Sequence, residues 1–184
     1  MASEFAGIDE KLRVFLEAQR LFFVATAPTG SGGHVNLSPK GHDTFRVIDS
    51  HTIAYLDLTG SGVETIAHIR DNGRITFMFC AFQGPPRIVR LQGRGHVVQP
   101  SQPEFAEWCD RFPEQDGVRS VIVAGLERIA DSCGYGVPLF AYEGERPQMQ
   151  AWLDHKGPEG VQSYQAEHNV SVDGLPGLNP LEGH

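Results

Sequence analysis

The stretch Tyr55–Gly95, YLDLTGSGVETIAHIRDNGRITFMFCAFQGPPRIVRLQGRG, decides the fold. It reads as a strand, a glycine-marked turn, a short helix, an apolar strand, a tight turn and a second strand with spaced arginines. Ser61 followed three residues later by Glu64 is the spacing of a capping box, and Gly73 suits a left-handed helix end, so a helix is expected over 61–72. Arg74–Phe82 is apolar on both alternating faces, with Ile75, Phe77, Phe79 and Ala81 on one and Met78, Cys80 and Phe82 on the other. Such a strand is covered on both sides, here by a barrel interior and by a helix or a partner subunit. The order places a helix N-terminus, whose first N–H groups lack helical partners, beside a small sheet, which is a seat for a phosphorylated ligand.

Working outward, the spacing of Ile8, Leu12, Phe15, Leu16 and Gln19 predicts an amphipathic helix over 8–20. LFFVATA (21–27) and HVNLS (34–38) read as strands joined by a Gly/Ser-rich turn, which lacks the Lys-Ser/Thr and helix of a nucleotide-binding loop. TFRVID (44–49) and TIAYLDL (52–58) form a hairpin. In Arg87–Gln99, Gly93 and Gly95 mark a bulge or bend. Ser101 and Glu104 give a second capping box for a helix over 101–112, and Val118–Asp131 is the closing strand, its second half open to a helical reading. QMQAWLDHKG and GVQSYQAEHN are two short helical stretches of a tail that ends without periodicity. Six or seven strands with short connections and few helices predict an α+β, mainly β chain: an antiparallel split β-barrel with peripheral helices, its domain over 1–134 and residues 135–184 an appendage.

The chain has 184 residues, enough for a sizeable core, and a formal charge of −8, which argues against a nucleic-acid partner. Seven of the 15 Lys and Arg residues nevertheless fall between Lys40 and Arg94, which leaves room for a local anion site. The three cysteines, Cys80, Cys109 and Cys133, show no metal spacing, and reduced thiols in a cytoplasmic protein are expected. No stretch approaches the ~20 apolar residues of a membrane span, so no membrane partner is expected. Nor do the histidines pair at ligand spacing, so no metal is expected.

VNLSPKG (35–41), IAYLDLTGSG (53–62), ETIAHIRDNGRITFMF (64–79) and PPRIVRLQGRGHVV (85–98) together resemble the pyridoxamine 5′-phosphate oxidase-like family of FMN-binding split barrels, over roughly residues 8–130. The resemblance implies a homodimer with FMN at the interface between barrels and a small-molecule substrate. It implies that Ser38, Pro39 and Lys40 run beside the isoalloxazine, and that Tyr55, Leu56 and Asp57 meet the ribityl and phosphate side. Glu64-Thr65 falls where the vitamin B6 oxidases carry an Arg-Lys pair on the phosphate. The phosphate is then left to Thr59, Ser61 and Thr65, backbone N–H groups, and Arg87 or Arg90. The substrate-binding Arg and His of the oxidases' C-terminus have no match in SVDGLPGL, so their specific activity does not carry over.

Lys40 suits a donor to flavin or substrate, against the alternative of a solvated charge. Arg87 beside its turn is the first choice for a phosphate contact and Arg90 the second. His42 has a weak claim as an acid or base, and Trp152 a stronger claim to packing than to stacking on a flavin. No catalytic residue is assigned. The leading expectation is an FMN-dependent oxidoreductase. A haem- or deazaflavin-binding barrel and a flavin-binding module without turnover stand as alternatives.

Overall fold

The computed structural model describes residues 3–179. In chain order the elements are β1 (Ser3–Phe5), α1 (Glu10–Glu17), β2 (Phe22–Thr26), β3 (Asn36–Lys40), β4 (Phe45–Val47), β5 (Thr52–Leu58) and α2 (Glu64–Asn72). They continue with β6 (Arg74–Cys80), β7 (Ile88–Val98), α3 (Phe105–Cys109), β8 (Val118–Ser132) and α4 (Gln148–Glu167). The strands form one antiparallel sheet in the order β3-β2-β6-β7-β8-β5-β4, with β1 added along the far half of β8. This is the expected split barrel. It has eight strands rather than six or seven, because Ser3–Phe5 pairs with Ile129–Asp131, a match too short to leave a period in the sequence.

The 15-residue β8 is strand throughout, so its second half is not helical. Pairing settles it: Ile88–Val98 lines one edge of β8 from Val121 to Ser132, while β5 and β1 share the other. The bulge falls at Gln92/Gly93, where a side chain on Gly93 would run into the Gly125 backbone.

Neither end strand bonds to the other, and side chains close the gap. Phe22 on β2 stacks on Phe79 at 5.4 Å and meets Phe45 of β4 at 5.4 Å and Tyr55 of β5 at 5.7 Å. With Phe77 these rings, all buried, fill the barrel, and aromatic pairs of this geometry add about 0.5–1.5 kcal/mol each beyond their burial. A smaller core of Ala54, Leu56, Val98, Phe112, Val121 and Val123 lies on the opposite face of β5 and β8, partly under α3.

Both expected capping boxes fail. Helix α2 starts at Glu64 with Val63 as its cap and no side-chain cap bond, while Ser61 stays exposed. The Glu64 side chain curls over Gly62 instead, and its Oε1 accepts a bond from the Val172 N–H at 3.3 Å. At the other site the Gln99 side chain holds the Ser101 hydroxyl at 2.8 Å, and α3 begins only at Phe105. The left-handed Gly73 does end α2, at φ 73°.

The tail returns to the barrel. Helix α4 breaks at Gly157, joining the two helical stretches read from the sequence, and Trp152 packs edge-on against Tyr164. Among the described residues no helix is long and apolar enough to cross a membrane, and no three His, Cys, Asp or Glu side chains gather as a metal site would require.

Candidate functional site: a buried polar seam between β3 and β5

Strand alternation sorts β3 cleanly. Val35, Leu37 and Pro39 are exposed, while Asn36, Ser38 and Lys40 turn half-buried toward the seam between the two ends of the sheet. The Lys40 Nζ reaches 3.3 Å across that seam to the Asp57 Oδ1 of β5. Asp57 is fully buried, and its other oxygen accepts a hydrogen bond from Arg119 Nε at the start of β8 at 2.9 Å and pairs with its terminal nitrogen at 2.8 Å. Arg119 also donates to the Gly62 carbonyl ahead of α2 at 2.9 Å. Burial alone would push the Asp57 carboxyl up, but Arg119 and Lys40 together hold it below the ordinary carboxylate range. The triad therefore ties β3, β5, β8 and the α2 entry together with its carboxylate ionised.

A second chain of bonds runs behind it. The Asn36 side-chain amide donates to Thr26 Oγ1 at 3.1 Å and to Thr65 Oγ1 at 3.0 Å, and its carbonyl accepts from the Ser38 hydroxyl at 2.8 Å. Thr26 Oγ1 in turn meets His68 Nδ1 at 3.0 Å. Tyr55, fully buried between the two networks, leaves its hydroxyl without a partner, as His68 leaves its Nε2. Burial first, and then the Asp57 charge, raise the Tyr55 phenol well above its ordinary value, so it stays neutral.

The expected site residues fall into three groups. Ser38, Lys40, Tyr55, Asp57 and Thr65 belong to the seam. Thr59 sits at its edge, donating to the Gly117 carbonyl at 2.7 Å and accepting from Gln165 at 2.7 Å, with the exposed Ser61 beside it. The others do not converge there. Leu56 faces the smaller core, and Pro39 lies exposed on the outer side of β3. Arg87 pairs with Asp131 at 3.1 Å and covers the Phe15 ring, while Arg90 bonds Ser132 at 3.2 Å. Both arginines thus sit by the far end of β8, remote from Arg119 and α2. Sequence spacing carries no record of which strand end a side chain occupies. His42, at φ 60°, pairs with Glu145 at 3.4 Å on the rim.

Sequence reading missed Asn36, Thr26 and Arg119. A signal for Arg119 was present: a lone guanidinium in VRSVIVAG must find a buried counter-charge. Asn36 shares its face with Ser38 and Lys40 by alternation alone.

Open pockets of about 540 Å³ and about 460 Å³ lie along α4, the first beside Gln99 and Ser163 and the second beside Gly117 and Leu153.

A family described as pyridoxamine 5′-phosphate oxidase matches residues 8–133. A curated relative from Aspergillus flavus, the pyridoxamine 5′-phosphate oxidase family protein ustO, is 37% identical over 95% of this chain and 77% of its own length. Among solved structures, HupZ of Group A Streptococcus superposes with a TM-score of 0.53 at 24% identity, covering 66% of this chain and 91% of its own. A Lactobacillus delbrueckii protein described as a candidate pyridoxamine 5′-phosphate oxidase superposes with a TM-score of 0.54 at 16% identity, covering 68% and 97%. These structural likenesses establish a shared barrel.

Proposed function

From the premise that the chain belongs to the pyridoxamine 5′-phosphate oxidase family, we propose that it is a flavin-dependent oxidoreductase, with FMN lying along β3. The observation that carries this reading is the half-buried row Asn36, Ser38 and Lys40 on an edge strand, each side chain fixed by a partner behind it. An edge strand presents backbone N–H and C=O groups with no neighbouring strand, and these suit the polar rim of an isoalloxazine. Lys40 places a cation where negative charge would collect on the reduced ring. When bound, FMN supplies two-electron transfer at its N5.

The residues fit the ring and the ribityl chain, for which Ser38, Thr65 and the neutral Tyr55 hydroxyl are hydrogen-bonding groups of the right kind. At the phosphate end the fit is poor as the chain stands. Lys40 and Arg119 are already committed to Asp57, and the Glu64 carboxylate covers the start of α2. The protein's own part is to hold and orient the ring and to set its charge. In the seam the Lys40 and Asp57 charges are mutually bound, and the two groups without a partner, the Tyr55 hydroxyl and the His68 Nε2, are buried.

That last point favours a second reading, a flavin-binding module that does not turn over. A cytoplasmic homodimer completes the proposal. Val35 just before the edge strand and Leu37 on it, 75% and 63% exposed, support a second copy over this edge, since such an edge is otherwise a site for unwanted pairing. The test is quenching of added FMN fluorescence with the mass in solution measured alongside. The proposal expects FMN bound per subunit of a dimer, and Lys40→Gln to weaken it about tenfold, the loss of one charge-assisted contact. Unquenched FMN in the presence of folded protein would contradict it. Reduction of bound flavin by a nicotinamide donor separates the enzyme from the inert module.

A further inference from the structure

The start of α2 is covered by the chain itself. The tail from Gln165 to Asn179 folds back over the barrel, and part of its contacts, to Thr59 and Glu64, fall on the segment that would face an anionic ligand. Gln165 donates to Thr59, and the Val172 N–H donates to Glu64. Asp173 accepts from the His34 N–H at 2.8 Å and pairs with its Nδ1 at 2.6 Å, anchoring the tail to the loop before β3. Arg70 on α2 binds the Gly177 carbonyl and the Asn179 side chain. Gly177 lies so close to Val63 and Asn169 that a methyl group there would collide with both. Ser171 is buried in the same turn and bonds the Leu175 N–H at 3.0 Å.

The contacts of Gln165, Val172 and Gly177 share one target. They reach Thr59, the Glu64 carboxylate and Val63 at the start of α2, while Arg70 in its last turn and His34 hold the tail elsewhere, and the Glu64 carboxylate lies where the positive end of the helix would otherwise meet a ligand anion. From this we infer that residues 165–179 form an intramolecular strap that competes with the phosphate of the cofactor for the α2 N-terminus, so that loading a phosphorylated ligand requires the strap and Glu64 to swing aside. The inference rests on the flavin reading and adds its regulation. A phosphorylated flavin gains little over an unphosphorylated one while the strap is down and much more once it is up, because only the phosphate meets Glu64.

The experiment compares FMN with riboflavin on the full chain, by fluorescence quenching, while hydrogen exchange follows residues 165–179. Wild type is expected to bind the two flavins within about threefold of each other, with FMN raising exchange in the strap. Gly177→Ala, which forces the strap off Val63, is expected to tighten FMN roughly tenfold and leave riboflavin unchanged. Asp173→Asn weakens the pair between the largely covered Asp173 and the exposed His34 and is expected to act in the same direction by roughly threefold, which keeps the test alive if Gly177→Ala fails to fold. Tight, FMN-selective binding by wild type with the strap still protected would overturn the strap and leave the flavin reading standing. Failure of either flavin to bind wild type and variants alike would overturn both.

Discussion

Replacing Arg119 by Met is the sharpest perturbation of the seam. It removes a hydrogen bond to Asp57 at 2.9 Å, an ion-pair contact at 2.8 Å and a hydrogen bond to the Gly62 carbonyl, and leaves a fully buried carboxylate facing only Lys40 at 3.3 Å. Breaking one side of a buried ion pair costs about 3–5 kcal/mol, because the remaining charge has no water and, here, only the partly exposed Lys40 to offset it. For a chain of this size that is a fall in Tm of about 10 °C. Lys40→Met should cost less, about 1–2 kcal/mol, since Lys40 is partly exposed and Arg119 still grips Asp57. The pH dependence identifies the cause. In wild type the depressed Asp57 pKa contributes stability that is present above the unfolded value near ~4 and is lost as pH falls through the folded value. In Arg119→Met burial dominates, the pKa rises above the unfolded value, and protonation relieves the penalty. The gap between variant and wild type should therefore narrow from about pH 8 to about pH 5. Urea unfolding at one fixed protein concentration measures it. A gap under about 1 kcal/mol, or one that stays constant with pH, would refute the account of Asp57 as a buried, doubly held charge.

Phe22→Ala should cost about 3–5 kcal/mol in the same assay, since the ring touches four aromatic neighbours inside the barrel. Asn36→Leu removes the donor to Thr26 and Thr65 and the acceptor of Ser38; it should cost about 1–3 kcal/mol and weaken flavin binding, whereas a purely structural role would leave the affinity of the folded fraction unchanged. Under native conditions a thiol reagent should label the exposed Cys133 first and Cys80 last, because burial raises the Cys80 thiol and hides it; the order of modified peptides by mass spectrometry checks this.

The parts of the fold that repeat with a short period were legible in the sequence. Thr52–Leu58 matches β5 residue for residue, and Gly73 ends α2 as expected, because alternation and a left-handed turn are local properties. The capping boxes were not, because a cap competes with whatever else its side chain can reach. Ser101 is taken by Gln99, and Glu64 by a backbone N–H 108 residues away. The site divides along the same line. Ser38, Lys40, Tyr55 and Asp57 converge because alternation fixed their faces and the barrel brought their strands together, and Thr65 joins them from the first turn of α2. Arg87 and Arg90 were chosen for guanidinium chemistry, and only the register of β7 on β8 sends them to the other end. Nothing local revealed that the tail would fold back over α2, since its contacts depend on loops more than a hundred residues distant in sequence.

The central claim is that the β3 seam holds a flavin. The most direct measurement is the absorption spectrum of the freshly purified protein, with mass spectrometry of whatever heat releases from it. Flavin bands and the mass of FMN are the result expected. A Soret band, or a colourless protein that takes up neither FMN nor riboflavin, would contradict it.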